Sequence, residues 1–161
     1  MTKPIKGIFA GLLAAAALLV AERAHAETCT ISASSMAFGV YDPLAASPLD
    51  TTSTIQVTCT SVGNPKVKYD VSLDKGQAGS YNPRAMTDGS SQLNYNLYTN
   101  ASRTTIWGDG KGGTAKVSAK YDLLPVGSTQ TDSYTVYGRV FAGQTVTVGA
   151  YLDTITATVK F

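Results

Sequence analysis

The chain has 161 residues, of which 43% are hydrophobic and 15% charged, and its formal net charge at pH 7 is +2. This length fits one domain with one core. The small net charge gives no reason to expect electrostatic binding to nucleic acid or to an anionic membrane.

The N-terminal segment has the organisation of an export signal. Lys3 and Lys6 form a basic start, an apolar run follows, and "AHA" supplies the small residues expected at a signal-peptidase site. The run is short for a membrane span, and no second one follows. We therefore predict a cleaved signal over residues 1–26 and no transmembrane segment after cleavage. The mature domain, residues 27–161, carries ten basic and ten acidic residues and no net charge.

Cys29 and Cys59 are the two cysteines of the chain. In an exported protein, two cysteines favour one disulfide, which would join the first strand to a strand near residues 55–59. A zinc site or a thiol nucleophile is the alternative. The single histidine, His25, lies in the predicted signal and cannot take part in either.

Helical periodicity is absent from residues 27–161, where short segments rich in Val, Ile, Thr and Tyr are separated by Gly, Pro, Asn, Asp and Ser. The predicted strands are, in chain order, "CTISA", "MAFGVY", "STIQVTCT", "KVKYDVSL", "LNYNLYT", "RTTIW", "SYTVYGRVF", "QTVTVGAY" and "DTITATVKF". About seven strands at this spacing predict an all-β, immunoglobulin-like antiparallel sandwich in one domain.

The last predicted strand has the clearest pattern. Its apolar residues alternate with Thr and Lys, and they are Ile155, Ala157, Val159 and Phe161. Strict alternation predicts a strand with one buried face, and it places Phe161 on that face.

No catalytic, metal or cofactor site is predicted. Without a histidine in the mature chain, a Ser–His–Asp or Cys–His arrangement is excluded. A paired-carboxylate site remains open, but most aspartates fall in predicted turns, where they bind backbone amides; these are Asp42, Asp50, Asp74, Asp88 and Asp109. We predict that the protein is not an enzyme.

The segment "WGDGKGGT" lacks both the calcium-loop spacing and a GK[ST] motif. It predicts a tight turn with glycines at positive φ, with Trp107 packed at the edge of the sandwich. The tyrosines fall mostly on predicted strands, where β-propensity accounts for them, although they leave a carbohydrate-binding role as an alternative.

Several segments together resemble the spore coat protein U domain family, the family of archaic chaperone–usher pilus subunits. They are "CTISA", "MAFGVYDPL", "SPLDTTSTIQVTC", "YNPRAM", "LNYNLYT", "WGDG", "VYGRV", Gln144 and "GAYLDTITATVKF". Each is weak alone, but they follow the family's order over almost the whole mature chain. Arg84, in "YNPRAM", could be a buried partner for a strand-end carboxylate or a recognition residue.

The resemblance implies an exported, incomplete sandwich that lacks one strand and carries an apolar groove between its sheets. By the same resemblance, a periplasmic chaperone would fill this groove first, and at the outer-membrane usher a neighbouring subunit's extension would replace the chaperone strand. By this resemblance, Ile155, Ala157, Val159 and Phe161 form the strand that binds the chaperone or subunit. The carboxylate of Phe161 would meet basic chaperone residues.

One feature departs from the family pattern. Only Glu27 and Thr28 stand between the predicted cleavage site and Cys29, so the mature chain has no evident strand to donate. This favours a minor or terminal subunit that acts in adhesion or biofilm formation at the cell surface. A stand-alone secreted coat-like or carbohydrate-binding protein is the alternative.

Overall fold

A computed structural model describes residues 27–63, 66–122 and 124–161, and the predicted signal lies outside the described residues. Regular structure within these ranges is entirely β, which confirms the predicted fold class. The strands are β1 (Thr28–Ala33), β2 (Leu49–Thr60), β3 (Val67–Leu73), β4 (Arg84–Thr87), β5 (Gln92–Tyr98), β6 (Val117–Tyr121), β7 (Thr129–Val140) and β8 (Ala157–Lys160). No helix in these ranges is long and apolar enough to cross a membrane.

The strands form two antiparallel sheets that enclose one core. The five-stranded sheet has the order β1-β2-β7-β5-β4, and the three-stranded sheet has the order β6-β3-β8. Inward residues of β2 and β3 alternate with more exposed ones, as expected for strands with one buried face. Val57, Val71 and Val140 are fully buried in this core. Full burial of each such side chain is worth about 1.5–3 kcal/mol.

The predicted disulfide is present and fastens the outer strand β1 to β2. Cys29 and Cys59 are directly opposite in the ladder, with Cα atoms 4.1 Å apart. This separation is typical of a non-hydrogen-bonded antiparallel pair. Closing a loop of this length stabilises the fold by about 3–4 kcal/mol in the chain-entropy model.

One side of the sandwich is closed by the segment that contains Trp107. The Trp107 N–H donates to Leu97 O of β5 at 2.9 Å, and the Leu73 N–H of β3 donates to Gly108 O at 3.3 Å. Backbone bonds therefore connect the two sheets there. The Trp107 indole, predicted at the sandwich edge, is fully buried, and its Nε1–H donates to Val71 O at 3.0 Å.

Three of the predicted strands are wrong, because these segments do not form the hydrogen-bonded ladder of a strand. Residues 36–41 and 144–151 form no strand, and the third, residues 103–107, contributes only isolated bridges at Ile106 and Trp107. Conversely, β4 and β6 were not predicted as strands. The last strand is also shorter than predicted, because regular pairing begins only at Ala157.

The predicted turns are mostly confirmed. In "WGDGKGGT", Gly110, Gly112 and Gly113 have positive φ. Four of the aspartates accept a bond from the backbone N–H two residues on; they are Asp42, Asp74, Asp88 and Asp109. Asp50 is the exception, because it lies in β2 and accepts two bonds from Arg139 at 2.8 Å.

Candidate functional site

On the side of the sandwich opposite Trp107, β1 and β8 are outer strands of different sheets, and no ladder among the described residues joins them, although some of their Cα atoms lie within 8 Å of each other. An apolar groove of about 420 Å³ lies there. One wall is the end of β1 with the residues after it, and the other is formed by residues 151–157. The apolar and aromatic lining residues are Ala33, Met36, Phe38, Ile55, Leu73, Met86, Tyr95, Leu97, Val136, Tyr151, Leu152, Ile155 and Ala157.

The backbone of β8 offers hydrogen-bonding groups on this open side. The Asp74 N–H donates to Thr156 O at 3.0 Å, at the start of the β3–β8 pairing. Bonded and non-bonded residues alternate in an antiparallel ladder, so Thr156, Thr158 and Lys160 direct their backbone groups towards β3. Ile155, Ala157 and Val159 therefore direct theirs towards the open edge.

The same alternation applies to β1. The Ser34 N–H donates to Thr54 O at 2.9 Å, which makes this a bonded pair next to the β1–β2 ladder. Cys29, Ile31 and Ala33 therefore direct their backbone groups away from β2. The edges of β1 and β8 thus present backbone groups of residues whose side chains face the core.

The structure separates the four residues predicted for the binding strand. Ile155 and Ala157 line the groove, whereas Val159 packs against the core without lining it. Phe161 is 56% exposed and lies beside Lys68 and Lys160, so the prediction that it faces inward is wrong. The ladder with β3 ends at Lys160, one residue before Phe161. Whether these residues bind a partner remains a prediction.

The opposite wall contains residues that sequence reasoning did not assign to the site. Met36 and Phe38 follow β1 and are half-buried, and the Phe38 ring meets the Tyr95 ring edge-on, with centroids 5.8 Å apart. A Cβ at Gly138 would lie 2.8 Å from Phe38 Cζ and would also collide with Met36 Sδ. The alternating apolar residues of "MAFGVY" are the available signal, but alternation alone predicts only an ordinary strand.

A hydrogen-bonded carboxylate fixes the wall that leads into β8. Asp153 accepts bonds from the Tyr95 hydroxyl at 2.6 Å and from the Gln77 N–H at 2.9 Å. Burial and the neighbouring Asp153 raise the pKa of Tyr95 well above its ordinary value, so its hydroxyl stays a donor. This holds Asp153 against β5, two residues before Ile155.

Arg84 has neither of the roles that the sequence left open for it. Its guanidinium is fully buried and donates to Asp74 O, Asn96 Oδ1 and Trp107 O at 2.7–3.1 Å, and no carboxylate among the described residues forms an ion pair with it. Burial lowers the pKa of this guanidinium. Arg84 therefore stabilises the closed side of the sandwich, by joining the end of β3 to the Trp107 segment.

Within the described ranges, no group of three or more His, Cys, Asp or Glu side chains is placed to hold a metal ion. The lining of the groove offers apolar burial, and the strands beside it offer backbone pairing. Together, the fold and the groove define a class of protein: an antiparallel β-sandwich closed along one side and open along the other.

The family follows from comparison with known proteins. The model of the Spore Coat Protein U domain matches residues 14–158, and the chain belongs to this family, which confirms the resemblance seen in the sequence. Protein U of Myxococcus xanthus is 28% identical over 184 aligned residues, which cover 98% of each chain.

A solved structure is also similar. It is the CsuC–CsuE chaperone–tip adhesion subunit pre-assembly complex from archaic chaperone–usher Csu pili of Acinetobacter baumannii. The match has a TM-score of 0.52 and 29% identity, and it covers 84% of this chain. This chain spans only 40% of the length of the chain it matches there.

Proposed function

We propose that this protein is an exported structural and adhesive subunit of a chaperone–usher type surface fibre, assembled by donor-strand complementation. The observation that carries the proposal is the groove between β1 and β8. Its lining is mostly apolar, and the two strands beside it direct backbone groups towards the space between them. An extended strand from another chain can use both features.

The energetics of the groove favour such an occupant. An unpaired strand edge beside exposed apolar surface promotes aggregation, so a filled groove is the more stable state. A donor strand that alternates apolar and polar residues would bury every second side chain against residues such as Leu73 and Leu97. Its backbone would pair with the edge that Ile155, Ala157 and Val159 present.

The partners in this proposal are a periplasmic chaperone, the outer-membrane usher and neighbouring pilus subunits. The protein crosses the periplasm after loss of residues 1–26 and then resides at the cell surface. Support comes from the family and from the similar solved structure, which is a complex of a chaperone with a tip adhesion subunit. A minor or terminal position, with adhesion or biofilm formation as the outcome, belongs to the same proposal.

The test uses two adjacent residues of β8 with opposite orientation. Ala157 lines the groove, whereas the side chain of Thr158 is exposed on the outer face. The chain is co-expressed with a periplasmic chaperone of the chaperone–usher type, and co-purification is measured for Ala157→Glu and for the matched control Thr158→Glu. We expect Ala157→Glu to abolish co-purification, because a carboxylate in the groove opposes an apolar donor side chain. Thr158→Glu should retain it.

Two outcomes contradict the proposal: Ala157→Glu that still co-purifies, or equal loss in both variants. Because Ala157→Glu could also impair folding, a second variant extends the chain beyond Phe161 and leaves the core unchanged. If the extended chain is exported and binds the chaperone as well as the original does, the proposed anchoring of the Phe161 carboxylate is wrong.

A stand-alone secreted coat-like or carbohydrate-binding protein is the second candidate. The observation in its favour is the match to Protein U, which spans nearly the full length of both chains. The two candidates differ in the behaviour of the mature chain expressed alone. A soluble monomer with a sharp melting transition supports the second candidate, whereas rescue by a co-expressed chaperone supports the first.

A further inference from the structure

The outer face of the three-stranded sheet carries most of the lysines of the mature chain. Lys68 and Lys160 lie on β3 and β8, and Lys120 lies on β6. Lys66 and Lys116 directly precede β3 and β6, so five of the seven mature lysines share this surface, together with Asp70 and Asp122. We call these seven residues the basic face, which has an excess of three positive charges.

The five-stranded sheet differs sharply on its outer face. Where β1, β2 and β7 pair, every outward residue is Thr, Ser or Gln; these residues are Thr28, Thr30, Ser32, Thr54, Gln56, Thr58, Thr60, Thr129, Thr131, Ser133 and Thr135. The region where these three strands pair therefore stays exposed to water without any charge, and farther along the β2–β7 ladder the outward Asp50 and Arg139 form an ion pair. General solubility does not explain why the lysines are concentrated on the other sheet.

The basic face contains two ion pairs. Lys116 pairs with Asp70 at 2.8 Å and Lys120 with Asp122 at 2.9 Å. Lys68 is directly opposite Lys120 in the β3–β6 ladder, and like charges in this position destabilise a sheet. This arrangement gains stability when an anionic partner lies across the two strands.

A notch of about 230 Å³ lies at the end of this surface, lined by Lys68, Tyr69, Asp70, Lys160 and Phe161. Phe161 is 56% exposed and lines the notch together with Lys68 and Lys160. An aromatic ring can pack against the apolar face of a sugar, while the lysines can bind its carboxylate. These groups together suit an acidic sugar unit.

We propose that the basic face binds an anionic, carboxylate-bearing polysaccharide. A lipid surface fits less well, because the strand residues that face outward here are Lys, Asp, Ser and Thr, whereas stable membrane attachment needs a second, apolar signal. The mature chain has no net charge, because its remaining residues carry an excess of negative charge equal to the positive excess of the basic face. The net charge alone therefore does not indicate this surface. The interaction is independent of the groove, so it does not require the proposed fibre function.

The test measures binding of the mature chain to polygalacturonate, with neutral dextran and phosphatidylglycerol vesicles as separate arms; the chain is purified as its complex with a co-expressed chaperone if it is insoluble alone, and the chaperone alone is then a further control. Lys68→Gln/Lys120→Gln removes the two opposed charges, and Lys75→Gln/Lys111→Gln removes two exposed charges elsewhere. We expect the first variant to bind polygalacturonate about tenfold more weakly or worse. The control should stay within about twofold, and binding should weaken as salt rises.

Absence of binding to polygalacturonate, equal weakening in both variants, or equal binding to dextran would each overturn the proposal. Preference for the vesicles would do so too, because it would indicate a membrane partner instead. Trp107 fluorescence confirms that both variants are folded. Chaperone co-purification of Lys68→Gln/Lys120→Gln should be unchanged, so failure of this proposal is distinguishable from failure of the groove proposal.

Discussion

Replacing Arg84 with Met tests whether one buried guanidinium keeps the closed side of the sandwich together. Met retains much of the apolar stem but removes every hydrogen-bond donor. Asp74 O, which accepts bonds from Nε and Nη2, and Trp107 O would lose these donors. Asn96 Oδ1 would still accept the Leu97 N–H at 3.0 Å.

The expected magnitude follows from these contacts. Each buried acceptor left without a donor costs about 1–3 kcal/mol, so the two carbonyls together cost about 2–6 kcal/mol. Removing a buried charge offsets part of this cost. We therefore expect the free energy of unfolding to fall by about 3 kcal/mol, a large share of the 5–15 kcal/mol typical of a domain.

The assay is urea unfolding followed by the fluorescence of Trp107, the single and fully buried tryptophan. For a slope of about 2 kcal/mol per molar urea, the midpoint should fall by about 1.5 M. The control is Arg139→Met, which breaks a part-exposed pair with Asp50 that is worth about 1 kcal/mol or less. Equal midpoints for the two variants would show that the loss of the donors to Asp74 O and Trp107 O does not destabilise the fold as expected.

Two further predictions concern the Cys29–Cys59 disulfide and the tyrosines. Cys29→Ser/Cys59→Ser should lower the free energy of unfolding by about 3–4 kcal/mol relative to the oxidised chain, and an unchanged value would contradict a stabilising role of the disulfide. Burial raises the pKa of Tyr121 to about 12, and burial and hydrogen bonding to carboxylates raise those of Tyr69 and Tyr95 further. Because these folded pKa values exceed the unfolded value of 10.0, the resulting stability is complete below pH 10 and is lost as the pH rises through about 12. Ultraviolet absorbance should show these phenols ionising only together with unfolding, so smooth ionisation of all nine tyrosines near pH 10 would contradict the prediction.

Alternation in the sequence did not by itself distinguish regular strands, and apolar residues of the segments that form no strand, such as Val40 and Val148, are exposed. Alternation identified β2, β3 and β7, where burial and hydrogen bonding coincide. Residues 144–151 alternate equally well, but the Gln144 side chain takes the place of a strand neighbour beside β5. Its Oε1 accepts the Asn94 N–H at 2.7 Å, and its Nε2 donates to Asn94 O at 2.8 Å. A side chain that replaces the backbone of a neighbouring strand in this way leaves no periodic pattern in the sequence.

The strands that were missed carry a different pattern. In β4, Arg84, Ala85 and Met86 are all buried, so alternation is absent. The charge of Arg84 also argues against burial until its acceptors are known, and these come from distant segments of the chain. The β8 side of the groove was predictable because its pattern is local. The Met36 and Phe38 side was not, because its role depends on β5 and β7.

The disulfide has a mechanical consequence if another chain fills the groove and is then pulled. Tension along an inserted strand would load the flanking bonds to β1 and β8 in shear, so that many must fail together. An outer strand such as β1 would otherwise peel away from its neighbour. Cys29–Cys59 joins β1 covalently to β2, and β2 pairs with β7 over its full 12 residues. Force entering at the open edge would thus pass directly into the longest ladder of the molecule.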